Sequence, residues 1–266
     1  MSLLRHVARI PYMLGLWERL GFGSVHTRIL YGIFPYPQYA FGVYQAAVLA
    51  SRLKIPRISV IELGVAGGRG LVAMERASAE IESALGVGID VVGFDTGGGM
   101  PAATDYRDLP HIWGPGFYKM DADKLRAQLT RGELILGDVG TSTREWLTSR
   151  MRAPIGFVSF DLDYYSSTVA AFALFEGLAA THLPRVVCYF DDVTTTPLGC
   201  MNEYVGELLA IREFNEAHPD RKVCRIEQLR VHRPRWEIWQ DRMYAFHNFA
   251  HPEYNTLVIE PEQLPL

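Results

Sequence analysis

Short apolar runs alternate with stretches of mixed polarity along most of this chain, and the rhythm predicts its elements. Runs at 58–63 (ISVIEL), 87–95 (VGIDVVGFD), 133–136, 155–160 (IGFVSF) and 185–190 (RVVCYF) are almost continuously apolar and rich in Val, Ile and Phe. Strands of that kind are buried on both faces, as in a parallel sheet. Between them, residues 70–85, 121–129, 143–151, 167–181 and 202–217 carry helical patterns, with Thr141 or Ser142 as the expected cap of the third. Runs at 222–231 and 243–249 suit a final hairpin-like pair. The expected fold is therefore α/β, a doubly wound, mostly parallel seven-stranded sheet with helices on both faces. Ahead of the first strand, helical patterns at 12–20 and 38–53 flank Pro35 and Pro37. Residues 1–56 are expected to form an N-terminal helical extension or lid, and residues 57–266 the main domain. No internal repeat, low-complexity tract or linker marks another.

Composition narrows the functional classes. A chain of 266 residues with 48% hydrophobic and 21% charged residues is ordinary for a globular protein. A formal net charge of −4 gives no support for nucleic-acid binding, which calls for a basic patch. Cys188, Cys200 and Cys224 make no C-x-x-C pair and leave an odd count, so reduced thiols are expected. The N-terminal segment is interrupted by Arg5, Arg9, Glu18 and Arg19, unlike a signal peptide, and no later run is long enough to span a bilayer. A cytoplasmic protein with no membrane partner is the expectation.

The loop after the first strand is the sharpest local feature. Val60 to Gly70 reads VIELGVAGGRG, an apolar run ending in an acid, then four glycines opening a helix. Glycine lets a backbone turn sharply and approach a ligand closely, and strand ends of this kind hold nucleotide-like cofactors. No register supplies G-x-G-x-x-G. Glu62, Gly64 and Gly68 instead form E-x-G-x-x-x-G, which resembles motif I of class I S-adenosylmethionine (SAM) methyltransferases. Asp95 closes the second strand 31 residues after Gly64, whereas dinucleotide folds place their ribose acid ~20 residues on. In the methyltransferase fold that acid accepts the ribose hydroxyls; capping of the glycine loop is the alternative. Asp138 ends the third strand, where the same fold holds the adenine amino group and where a turn cap is the alternative. Arg69 is a further candidate, for the cofactor's carboxylate.

A second constellation follows the fourth and fifth strands: Asp161-Leu162-Asp163 and Asp191-Asp192. Parallel neighbours lie about 4.8 Å apart, so their ends would gather four acids. Carboxylates that close repel and raise each other's pKa, and neither motif contains a base. A divalent cation removes the conflict, and Mg²⁺ takes a few carboxylates with waters and substrate filling the rest. Helix caps would account for one acid at each strand end, not two at both.

With Phe94-Asp95-Thr96 and the glycines up to Met100-Pro101, Phe160 to Thr168 (FDLDYYSST) and Phe190-Asp191-Asp192, the chain resembles the macrocin O-methyltransferase (TylF-like) family over roughly residues 35–200. The resemblance implies SAM and Mg²⁺ as cofactors and transfer of a methyl group to a hydroxyl of a sugar or phenolic natural product. By position it implies Asp161, Asp191 and Asp192 as metal ligands and Asp163 as general base. Two departures are the Gly97-Gly98-Gly99 run, where the family has a bulkier loop, and a tail with Trp236, Trp239, His247 and His251 that matches no family pattern. His232, His247 and His251 are other candidate bases, Trp113, Trp236 and Trp239 candidate pocket walls, and the N-terminal aromatics a lid or homo-oligomer contact. Two other functions stay open. One is a SAM-binding protein without turnover. The other is a glycosyltransferase using Asp161-Leu162-Asp163 as a D-x-D motif, which leaves Glu62, Gly64, Gly68 and Asp191-Asp192 without a role.

Overall fold

The protein is described by a computed structural model covering residues 11–149, 152–194 and 196–259. Seven strands form one sheet: β1 (Arg57–Leu63), β2 (Gly88–Asp95), β3 (Glu133–Leu136), β4 (Ile155–Phe160), β5 (His182–Phe190), β6 (Arg221–Arg225) and β7 (Met243–Asn248). Their order is β3-β2-β1-β4-β5-β7-β6. The first five pair in parallel and β7 runs antiparallel to both neighbours. The chain winds outward from β1 to β3, then returns to β4 on the other side of β1. That reversal places the topological switch point between the carboxyl ends of β1 and β4, where open α/β sheets bind ligands.

β1 shows why the strands read as continuous apolar runs. Ile58 and Val60 pack into one core and Ile61 and Leu63 into the other, because successive side chains leave a strand on opposite faces. The first layer holds α3 (Pro37–Arg52) and α4 (Arg69–Leu85), after the short helices α1 (Pro11–Leu20) and α2 (Val25–Tyr31). The second holds α6 (Val139–Ser149), α7 (Tyr165–Ala171), α8 (Ala173–Glu176) and α9 (Gly206–Ala217). The short helix α5 (Ala122–Arg126) precedes β3. Of the expected N-terminal extension, residues 11–56 are described, and α3 lies directly on the sheet with Val43 and Ala47 fully buried.

Several boundaries differ from expectation for local reasons. The helix expected over 167–181 is broken into α7, α8 and a 3₁₀ turn at Ala179–Thr181, with the extended Gly177 ending α8. α6 begins at Val139, with Asp138 and not Thr141 or Ser142 supplying the side chain that caps it; its expected end at 150–151 lies outside the described residues. β6 stops at Arg225, and Gln228, at φ +58, turns the chain into a 3₁₀ segment. No helix among the described residues is long and apolar enough to cross a membrane.

Candidate functional site

A cleft of about 480 Å³ opens at the carboxyl ends of β1 to β5, within the usual range for small-molecule sites. It is lined by Gly64, Ala66, Asp95, Gly137 and Asp138 on one side and by Asp161, Asp163, Asp191 and Asp192 on the other. Both constellations read from the sequence therefore share one cavity.

The glycine loop explains itself by geometry. Gly64 sits at φ +81, and a Cβ there would lie 1.8 Å from the carbonyl oxygen of Asp161. Only glycine lets the end of β1 pass that close to β4, so the loop's first glycine and the first acid are parts of one construction. Gly68 also holds φ +81, but a Cβ would strike Leu125, and Gly68 does not line the cleft. Its work is to open α4 and admit the Leu125 side chain. Glu62 likewise lies behind the cleft wall. It is buried, accepts the Tyr39 hydroxyl at 2.8 Å through Oε1, and leaves Oε2 without a partner. Burial, and then the charge of Asp95, push its carboxyl up to about 8 although the Tyr39 bond acts the other way. Gly64, Asp95 and Asp138 are thus brought to the cavity, while Glu62 and Gly68 shape its wall from behind.

Asp95 ties two loops together. Its Oδ2 accepts the backbone N–H groups of Val65 and Ala66 at 2.9 and 2.8 Å, and Oδ1 accepts that of Gly97 at 2.6 Å. A carboxylate offers about four acceptor positions, so these three bonds leave room for one further hydroxyl, not the two anticipated. Loop capping and cleft lining coexist in this residue. Asp138 also has two jobs: Oδ1 accepts from the N–H and hydroxyl of Thr141, and the residue faces the cleft.

The acid cluster is electrostatically unsatisfied. Oxygens of Asp161, Asp191 and Asp192 lie within 4.8 Å of one another. Burial, then the charges of Asp191 and Asp192, raise the Asp161 carboxyl well above its ordinary range; burial, then Asp163 and Asp191, do the same to Asp192. Asp192 Oδ2 is buried without a hydrogen-bond partner. Asp163 is raised to about 7 by burial and then by Asp191. It occupies φ +59 inside a tight turn in which Tyr164 N–H donates to the Leu162 carbonyl at 2.5 Å. Such backbone in a non-glycine residue is uncommon and gathers at functional sites.

Some residues of this site carried no signal in sequence. Arg242, just ahead of β7, donates to Asp191 Oδ1 at 2.5 Å, and the Tyr189 hydroxyl joins it at 2.6 Å. One base therefore does reach the cluster, from a segment 50 residues downstream of Asp192. Glu207, fully buried at the start of α9, accepts the Asp192 N–H at 2.9 Å. Trp113 and Tyr118 also line the cleft, and their rings meet edge to face at 6.2 Å. Their loop is pinned by Asp108. That fully buried carboxylate accepts the N–H and hydroxyl of both Thr104 and Ser166. His247 pairs with Arg185 of β5, six residues before Asp191 and so roughly 20 Å from it at ~3.3 Å per residue. That removes His247 as a base. Trp236 is exposed, and Trp239 is buried against Phe41 of α3. A second cavity, at the amino ends of β1 to β3, is lined by Arg57, Arg131 and Arg152, each already paired with Asp90, Glu82 or Glu133.

The chain matches no family model and no curated protein sequence. Among solved structures it is similar to the calicheamicin methyltransferase CalS11. Identity is 20%, each chain is covered to 78%, and the TM-score is 0.52. An apo structure of CalS11, described as a TDP-rhamnose 3'-O-methyltransferase, gives 20% identity over 78% and 79% of the chains with a TM-score of 0.46. An O-methyltransferase from Bacillus cereus in complex with SAH gives 15% over 79% and 80%, with a TM-score of 0.40. The sheet order and the CalS11 match decide the fold. This is the class I SAM methyltransferase fold.

Proposed function

We propose that this protein is a divalent-metal-dependent SAM O-methyltransferase acting on a hydroxyl of a small molecule, a sugar or a phenolic natural product. One observation carries the reading. The cleft that receives Gly64, Asp95 and Asp138 at the switch point also receives three carboxylates spaced to share a cation, two of them raised well above the ordinary carboxylate range by burial and then by neighbouring acids. Oxygen-only donors and an orphaned Asp192 Oδ2 fit Mg²⁺. The solved relatives named above support O-methyl transfer as the chemistry, and Asp161-Leu162-Asp163 beside a SAM-type loop leaves the glycosyltransferase reading without support.

The chain's residues divide the work. Asp95 takes one ribose hydroxyl and Asp138 the adenine amino group through its uncommitted oxygen, while the Gly64 turn lets the sulfonium end come close to the acids. Asp161, Asp191 and Asp192 hold the cation. When bound, Mg²⁺ supplies positive charge that makes a coordinated hydroxyl more acidic. Asp163, poised near neutrality and not among the three clustered ligands, takes the hydroxyl proton. Trp113 and Tyr118 close the cleft over the acceptor. Methyl transfer is an in-line displacement, so holding donor and acceptor collinear is the larger part of catalysis.

Calorimetry with SAM, followed by SAH release across a panel of sugar and phenolic hydroxyls with and without Mg²⁺, tests the reading. SAM binding with metal-dependent turnover is expected. Failure to bind SAM would overturn it, and tight SAM binding without turnover on any acceptor would favour a SAM-binding protein instead.

A further inference from the structure

We propose that Glu207 is a positioning residue that braces Asp192 and thereby sets which divalent cation the acid cluster prefers; this rests on the metal-dependent reading above. Asp191 and Asp192 are consecutive, so their carboxylates can share a cation only if the backbone between them is fixed. Asp191 is fixed through its side chain, by Tyr189 and Arg242. Asp192 leaves Oδ2 without a partner, and its carboxylate bonds only to the neighbouring turn at Asp163, not to a side chain from another element as Asp191 does. It is held through its backbone, whose N–H donates to Glu207 Oε2 at 2.9 Å. Glu207 is 0% exposed, does not line the cleft, and leaves Oε1 without a partner. A buried carboxyl with an unused oxygen is costly, and packing alone would be served better by an apolar side chain. The one thing an apolar residue cannot do there is accept the Asp192 N–H.

Bracing bears on the choice of cation. Mg²⁺ demands near-octahedral oxygens at about 2.0–2.1 Å, whereas Ca²⁺ accepts about 2.3–2.6 Å and variable geometry. Rigid ligands favour the smaller ion, so loosening Asp192 weakens Mg²⁺ more than Ca²⁺. A role confined to stability would lower the melting temperature and leave that ratio alone.

The test titrates Mg²⁺ and Ca²⁺ separately into the full chain saturated with S-adenosylhomocysteine, for wild type, Glu207→Gln and Glu207→Met. Wild type is expected to prefer Mg²⁺. Gln keeps an acceptor oxygen and should bind both ions within about twofold of wild type, while Met should weaken Mg²⁺ about tenfold and Ca²⁺ much less. An unchanged Mg²⁺/Ca²⁺ ratio in Glu207→Met, an equal loss in Glu207→Gln, or a wild type that prefers Ca²⁺ would overturn the proposal. A wild type that binds neither ion would sink the metal-dependent reading and this proposal with it. Should Glu207→Met not fold, amide exchange in wild type decides: the Asp192 N–H is expected to be strongly protected, and exchange at the rate of a free peptide would overturn the bracing.

Discussion

The two halves of the cleft are built on opposite principles. On the β1–β3 side, Asp95 is satisfied within the protein by three backbone donors and Asp138 by the first turn of α6. That half is finished before any ligand arrives. On the β4–β5 side, Asp161, Asp163, Asp191 and Asp192 crowd together, and Arg242 is the cation that reaches them among the described residues. That half is incomplete without added positive charge. The difference teaches where to look for each function. On the proposed function, the satisfied half would give shape and affinity for a cofactor, and the unsatisfied half, held in place by the rest of the fold, would give chemistry.

The harshest way to break this contrast is to remove the charge. Asp191→Asn/Asp192→Asn should abolish the Mg²⁺-induced rise in melting temperature and cut turnover ~10⁴-fold, a loss of several kcal/mol of charge stabilisation. The same protein without metal should melt no lower than wild type, because repulsion has been relieved. A full Mg²⁺ shift in the double variant would mean these acids are caps.

Asp163→Asn sharpens the division within the acidic half. Asn tolerates the left-handed backbone at φ +59, so the turn should survive while the base is lost. Turnover should fall ~10²–10³-fold with SAM and Mg²⁺ affinities within a few-fold of wild type. Lost Mg²⁺ binding would move Asp163 into the ligand set, and full activity would exclude both roles.

Proton linkage tests the raised carboxyls without mutation. Asp163 at about 7 and Glu62 at about 8 lie above their unfolded values, so the folded state holds extra protons between roughly pH 4 and 8. Acids raised in this way cost stability as pH climbs from the unfolded to the folded value, with a limiting slope of ~1.4 kcal/mol per pH unit for each group. Metal-free protein should therefore melt lower at pH 8 than at pH 5, and saturating Mg²⁺ should flatten the slope. A metal-free melting temperature that rises over this range would contradict the raised values.

Asp95→Ala probes the satisfied half and should have the smallest effect. One ribose hydroxyl bond is worth ~1–1.5 kcal/mol, so SAH affinity should fall about tenfold by calorimetry. The freed N–H groups of Val65, Ala66 and Gly97 should also lower the melting temperature. Unchanged affinity with lowered stability would assign Asp95 to the loops alone.

The same contrast explains what the sequence disclosed. Continuous apolar runs made the strands legible, and acids at the ends of β4 and β5 made the cluster legible, because strand spacing alone brings them together. Gly64 was legible as a turn, but its contact with Asp161 depends on sheet order, and the roles of Glu62 and Gly68 behind the wall depend on Tyr39 and Leu125 packing from other elements. Arg242 and Glu207 were not legible at all. They reach the site through the register of β7 on β5 and the docking of α9, long-range pairings that no local pattern encodes. The break between α7 and α8 was hidden for a related reason: the helical pattern continues across it, and the extended Gly177 decides where it stops.

Crystals grown with S-adenosylhomocysteine and soaked in Mn²⁺, a spectroscopically visible stand-in for Mg²⁺, test the acidic half most directly. Anomalous diffraction should show one strong peak within roughly 2.5 Å of a carboxylate oxygen from each of Asp161, Asp191 and Asp192, with the cofactor's sulfur facing it across the cleft. A cleft that holds the cofactor but shows no peak, or a peak held by other residues, would contradict the assignment.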